Sequence, residues 1–289
     1  MKQKLIILLM SCNQPLYEEE EQACRDTFLK DAEGEGIPYY FYKSVNSQHP
    51  TPEIDEETHT IYLDTPDGLS GTGRKTVAAL ESVLGFDFDY LIKTNVSTYL
   101  NIKNIVKGMN KWDGKDDMNI YGARYLINPS SKNIPFPRGF FTVLSKTLSQ
   151  GVIEIAQTLA NNPTMPRTDD TVISLALLYY LQKRLDEKYL DKIKVVPSVT
   201  EWTDYIIEDP AFDRAFAIRC KDEKIKENTP ENIIRVHEMV KTKAYPAMNY
   251  RPATTFETSI GMMSYNNYLL FDKMMEKIKT LIPEKPNGE

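Results

Sequence analysis

Leu5-Ile6-Ile7-Leu8-Leu9-Met10 runs directly into Ser11-Cys12-Asn13-Gln14-Pro15, and the change from unbroken apolar to small and polar decides the fold class. Six apolar residues in a row leave no polar face, the pattern of a strand covered on both sides in a parallel sheet. The turn that follows brings short polar side chains to the end of that strand. Over residues 16–30 the pattern becomes helical: Ala23, Phe28 and Leu29 recur after Glu18, Glu19, Glu20 and Glu21. An acidic start suits the positive end of a helix dipole.

The alternation continues outward from this pair. Residues 37–45 and 59–63 predict strands, and 70–86 a helix with Val77, Leu80, Val83 and Leu84 on one face. A short buried strand at 90–92 precedes a helix near 102–109, and strands follow at 120–126 and 139–144. Helices then span 145–159 and 168–189, the second opened by Thr168-Asp169-Asp170 as a capping sequence. Late strands at 195–199 and 215–220 precede a helix at 230–243 with Thr229 as its N-cap and Pro230 at its first position. Strand–helix alternation implies an α/β fold, a mostly parallel sheet flanked by helices. Residues 1–245 read as one domain, and 246–289 as a C-terminal extension with one amphipathic helix at 265–282 and a frayed tail.

The chain has 289 residues, 41% hydrophobic and 10% aromatic, enough apolar surface for a real core. Its formal net charge is −6. A duplex-DNA binder acting through counterion release is ordinarily basic, which disfavours nucleic acid as a partner but leaves a local basic groove open. Cys12, Cys24 and Cys220 are widely spaced and odd in number. They form neither a disulfide framework nor a zinc pattern, and they suit a reducing compartment. The apolar run at 5–10 is shorter than a signal-peptide core and far shorter than a membrane span. No other stretch would anchor the chain, so the expectation is a cytoplasmic protein.

Three segments carry candidate chemistry. Gly68-Leu69-Ser70-Gly71-Thr72-Gly73-Arg74-Lys75-Thr76 is one residue too long between its first glycine and its lysine for a P-loop. It reads as a glycine loop opening a helix, with Arg74 and Lys75 available to an anionic phosphate at the helix start. Asp89-Tyr90-Leu91-Ile92-Lys93-Thr94-Asn95-Val96-Ser97-Thr98 sends a buried strand into polar residues, at the edge where ligands bind in open α/β sheets. In Arg167-Thr168-Asp169-Asp170-Thr171-Val172, two adjacent acids either cap a helix or repel each other, which raises one pKa toward general-base range.

In this order the segments resemble the β1,3-glycosyltransferases of the Fringe and galactosyltransferase type. Cys24-Arg25-Asp26-Thr27-Phe28 is similar to that family's early Arg-Thr-Trp segment. Arg74-Lys75-Thr76 and the strand from Asp89 to Thr98 resemble its Lys-Thr helix and its Lys-Thr-Asp-Asp-Asp-Thr motif. Arg138-Gly139-Phe140-Phe141-Thr142-Val143-Leu144-Ser145 resembles its Gly-aromatic strand, and Asp169-Asp170-Thr171-Val172 its acidic pair. The likeness covers roughly residues 4–200. It implies a GT-A, Rossmann-like domain that moves a sugar, with inversion, from a nucleotide-diphosphate donor such as a UDP-sugar to a glycan, glycoconjugate or other hydroxyl acceptor.

By the same resemblance, Asp170 or else Asp169 would be the general base. Ser11 and Cys12 would border the nucleotide base, and Asn95 and Ser97 the ribose or diphosphate. Arg25, Arg74, Lys75 and Lys93 would supply cationic help, with Arg25 and Lys75 read as solvent-facing side chains. Arg138 and Gly139 would line the acceptor side. The family's Asp-rich motif holds a divalent metal, manganese or magnesium, but here Asn95-Val96-Ser97 offers no carboxylate. Either the reaction runs without metal or catalysis has been lost. His237 lies among Ile233, Val236 and Val240 at helical spacing, which suits a packed helix histidine as well as a late metal or phosphate ligand. Two other readings stay open: a non-catalytic nucleotide-sugar or glycan-binding relative, and a phage-type enzyme acting on modified DNA. The lack of a membrane anchor suits a bacterial or viral origin.

Overall fold

The computed structural model describes residues 3–109, 118–122, 126–128, 134–136, 139–162, 168–185, 192–196, 198–199, 214–221 and 225–243. The expected extension at 246–289 and its helix lie outside the described residues. So does Arg138.

The first strand is β1 (Leu5–Met10), every residue of which is buried except the last. It pairs in parallel with β2 (Tyr39–Ser44) on one side and β5 (Tyr90–Asn95) on the other. Outward from β2 lie β4 (Thr60–Leu63), parallel, and β3 (Glu53–Asp55), antiparallel. Outward from β5 come β10 (Phe141–Ser145), antiparallel to β5, then β7 (Ile120–Gly122) and β11 (Ile193–Val195). The eight-stranded order β11-β7-β10-β5-β1-β2-β4-β3 is therefore mostly parallel, with β10 and β3 reversed. Smaller sheets join β6 (Thr98–Leu100) to β13 (Ala217–Arg219) and β12 (Ser198–Val199), and β8 (Leu126–Asn128) to β9 (Ile134–Phe136).

Because side chains alternate across a strand, β1 feeds two cores. Leu5, Ile7 and Leu9 pack with Ala23, Phe28, Leu29, Ile105, Ile233 and Val236. These come from α1 (Pro15–Asp26), α2 (Phe28–Gly34), α4 (Ile102–Met109) and α7 (Thr229–Thr242). Ile6 and Leu8 face the other way, onto Val77, Leu80, Val152 and Val172 of α3 (Thr72–Ser82), α5 (Lys146–Asn161) and α6 (Asp169–Leu185). The α/β expectation, a mostly parallel sheet with helices on both faces, holds. Among the described residues no helix is long and apolar enough to cross a membrane.

Local readings shift in three places. The helix expected over 16–30 breaks at Thr27, whose hydroxyl donates to the Ala23 carbonyl at 2.6 Å and whose φ and ψ are −119° and −111°. Threonine offers the backbone this local alternative to a helical bond. The helix expected from residue 70 begins as a 3-10 turn, Leu69–Gly71, before α3 proper. Thr229 is the first residue of α7 and Asn228 the N-cap. Ser145 caps α5 as that start requires, its hydroxyl accepting from the Leu148 amide at 3.0 Å.

Candidate functional site

Parallel pairing aligns the C-terminal ends of β1, β2, β4 and β5 along one sheet edge, and two polar groups form there. In the first, Lys75 of α3 is 2% exposed and donates to the Ser11 carbonyl at 3.2 Å and to Asp67. Asp67 also accepts from Ser44 Oγ at 2.9 Å and from Asn13 Nδ2 at 3.3 Å. Asn13 Nδ2 donates to the Ser44 carbonyl at 2.8 Å, and Asn46 Nδ2 to Asn13 Oδ1 at 3.0 Å. Asp67 precedes Gly68, whose φ of +95° only glycine adopts without strain.

Ser11 turns its hydroxyl to Glu21, which Lys43 holds at 3.0 and 3.2 Å. Next to it Cys12 is half-buried. Burial first, and the Asp67 charge second, push its thiol up to about 11, so it stays neutral and unreactive at ordinary pH.

The second group gathers where β5, β10 and the start of α6 meet. Lys93 and Thr142 are register partners on neighbouring strands, and both face α3 and α6. Lys93 is 5% exposed and donates to Asp169 and, at 2.5 Å, to the Gly139 carbonyl. The Asp169 amide donates to Thr72 Oγ1 at 3.2 Å, tying the first turn of α6 to the first turn of α3. Asp169 is buried, whereas Asp170 is only half-buried. Burial and the neighbouring Asp169 charge raise the Asp170 pKa, against the pull of Lys93. Lys93, Gly139, Thr142, Thr76, Asp169 and Asp170 border a cavity of about 10 Å³, room for about one water.

The expected site residues divide accordingly. Ser11, Cys12 and Lys75 stand together, as do Lys93, Gly139, Asp169 and Asp170. Lys75 and Lys93 are not solvated cations, because each is buried against a carboxylate. Arg25 belongs to neither group. Helix α1 runs back along β1, so its last turn reaches the opposite edge. There Arg25 donates to the Thr58 carbonyl at 2.5 Å and lies 4.5 Å from the centre of the Phe41 ring. Arg74 is exposed on the outer face of α3 and donates to the Ala160 carbonyl at 3.3 Å.

At the end of β5, Asn95 Oδ1 accepts from Ser97 Oγ at 2.9 Å and Thr98 Oγ1 at 2.7 Å. This turn is closed on itself by neutral groups, and it does not fit the divalent metal that the family resemblance implies. Among the described residues no group of three or more His, Cys, Asp or Glu side chains has metal-holding geometry. His237 is 5% exposed, 3.3 Å from the Tyr99 hydroxyl through Nδ1, and burial lowers its pKa. It is a packed helix histidine.

Sequence reasoning passed over Asn13, Lys43, Ser44, Asn46, Asp67 and Glu20. A lysine at the end of the aromatic run Tyr39-Tyr40-Phe41-Tyr42 was the available signal for Lys43. Glu20 lay hidden in a run of four glutamates. It is 4% exposed, its Oε2 has no hydrogen-bond partner among the described residues, and burial pushes its pKa up to about 7.

No protein-family model matches the chain, and no curated protein matches it. Among solved structures it is similar to a glycosyltransferase involved in the glycosylation of the major capsid of PBCV-1. That match has 12% identity and a TM-score of 0.48, over 79% of this chain and 99% of the other. It is also similar to the galactosyltransferase LgtC solved with donor and acceptor sugar analogs. Here identity is 8% and TM-score 0.47, over 86% of this chain and 97% of the other.

Proposed function

We propose that this chain is a GT-A glycosyltransferase that moves a sugar, with inversion, from a nucleotide-diphosphate donor to a hydroxyl acceptor. The observation that carries the reading is the unequal environment of two adjacent acids at the ligand-binding edge of a mostly parallel sheet. Asp169 is buried and paired with Lys93, while Asp170 is partly open and holds its proton more tightly than an ordinary aspartate. Neighbouring acids held in such unequal environments are a usual mark of a divided acid–base role. The Fringe-type resemblance supports the same assignment and rests on its sequence segments alone.

In the proposed reaction the Asp170 carboxylate takes the acceptor hydroxyl proton as that oxygen attacks the anomeric carbon. The nucleoside diphosphate leaves from the opposite face, so one displacement inverts the centre. Ser11, Cys12 and Asn13 border the nucleotide, with Asn95 and Ser97 toward the ribose. Lys75 meets the diphosphate, which takes the place of Asp67 as its anion. No step is assigned to a metal, since the turn at Asn95 lacks the anionic oxygens a hard cation wants. Gly139, with Arg138 before it, belongs to the acceptor side.

The test is a thermal-shift panel of nucleoside diphosphates and nucleotide sugars, with manganese and with chelator, followed by donor hydrolysis and transfer assays. A diphosphate at a hundredfold its Kd should add about 2.7 kcal/mol without metal. Stabilisation seen only with manganese would sink the metal-free part, and none with any nucleotide would sink the donor assignment. Tight binding with neither hydrolysis nor transfer would identify a non-catalytic relative instead.

A further inference from the structure

Building on that reading, we infer that Lys93 is a positioning residue: it pins Asp169 in the protein interior and leaves Asp170 as the acid that faces the acceptor. Two adjacent carboxylates at one helix start would otherwise compete for the same role. Lys93 breaks the tie by geometry. It projects from the middle of the sheet, from β5, on the face covered by α3 and α6, and its ammonium ends on Asp169 and the Gly139 carbonyl. At 5% exposure it is largely withdrawn from solvent, and a buried ammonium needs such partners. Asp169 is held a second time through its backbone amide on Thr72. Asp170 accepts from the Thr171 amide at 2.9 Å and remains half-buried.

Gly139 makes this crowding feasible. A Cβ there would lie 3.1 Å from Asp169 Oδ2, 3.2 Å from Asp170 Cβ and 3.4 Å from Lys93 Nζ. The absence of a side chain lets the turn before β10 approach lysine and both acids at once. Among the described residues, the charged groups acting on Asp170 are Asp169 from its own helix and Lys93 from β5, with Thr168 and Thr171 as uncharged hydrogen-bond partners. The Tyr42 hydroxyl, on β2 beyond β1, feels the Asp169 charge and is held neutral by burial. Lys93 thus fixes Asp169 and opposes the rise of the Asp170 pKa, a role distinct from the diphosphate contact expected of it.

The experiment is a side-chain carboxyl 13C NMR titration of the intact protein, which needs no substrate and so stands or falls apart from the transfer assay. In Lys93→Met the pair loses its cation. The upper of its two titration midpoints should rise by about one to three pH units, with the two acids titrating in coupled steps. An Asp170 midpoint unchanged in folded Lys93→Met would overturn the proposal. If that variant does not fold, Lys93→Met/Asp169→Asn removes both buried charges together, a change that proteins tolerate far better. Asp170 should then titrate in one step at lower pH than in the wild type, because the Asp169 anion is the stronger of its two charged influences. A wild-type midpoint in the double variant would equally overturn it. Should the titrations behave as expected while no nucleotide binds, Lys93 keeps its positioning role and the transfer reading fails by itself.

Discussion

Lys75 and Asp67 form an ion pair whose two members see very different surroundings: the lysine side chain is 2% exposed and the aspartate 36%. The cost of breaking the pair therefore depends on which partner goes. Asp67→Asn strands a buried ammonium and should cost about 3 kcal/mol. Lys75→Met leaves a carboxylate that water still reaches, and should cost about 1 kcal/mol. Urea unfolding of both variants measures the difference. The reverse order would mean that Lys75 stabilises the fold by packing and not by charge.

Arg25 separates the two edges of the sheet. Its guanidinium contacts Phe41 and the Thr58 carbonyl just before β4 begins, whereas Lys75 of α3 reaches the Ser11 carbonyl beyond the other end of β1. Arg25→Ala should cost about 1–2 kcal/mol through the lost ring contact and hydrogen bond. Nucleotide affinity by calorimetry should not change. A tenfold loss of affinity in a variant that is fully folded would return Arg25 to the donor site.

Glu20 makes stability depend on pH in a defined direction. Its pKa is raised from 4.5 to about 7 in the folded state, with burial the larger cause and Lys221 opposing it. The fold therefore favours the protonated form. Its contribution is fully present below pH 4.5 and is lost as pH rises through about 7. The gap corresponds to about 3 kcal/mol at alkaline pH. Glu20→Gln should be more stable than the wild type by up to that amount at pH 8 and equal to it near pH 4. Parallel stability–pH curves for the two proteins would show that Glu20 is solvated.

Asp170→Asn keeps size and capping ability, since Asn caps helices about as well as Asp. Folding and donor binding should survive while transfer falls by about two to four orders of magnitude. Asp169→Asn is a different experiment, because it leaves Lys93 buried without its anion and should cost about 3–5 kcal/mol of stability. Full transfer by Asp170→Asn on an acceptor that the wild type glycosylates would remove Asp170 as the base.

How much of this was legible in the chain itself follows the range of the interactions involved. The run Leu5–Met10 and the helices after it were readable because burial on both faces and one-sided burial leave different periodicities, and periodicity is local. The acidic pair at the start of α6 was readable for the same reason, since capping involves residues three or four apart. The break at Thr27 was not, because a threonine hydroxyl that bonds a carbonyl four residues back is also found within unbroken helices.

Charge state and partnership lay beyond local reading. Arg25, Arg74, Lys75 and Lys93 are the same kind of residue in a sequence, each a cation beside polar neighbours. Parallel pairing of β1 with β2 and β5 sends Lys75 to Ser11, 64 positions away, and Lys93 to Asp169, 76 positions away. The reversal of α1 carries Arg25 to the far edge. The pattern of apolar residues determined which strands and helices exist and which faces they bury. Which charges meet, and which of two neighbouring aspartates stays open, was decided by tertiary contact, because an ion pair in a low-dielectric interior depends on separations through space that the order of residues does not contain.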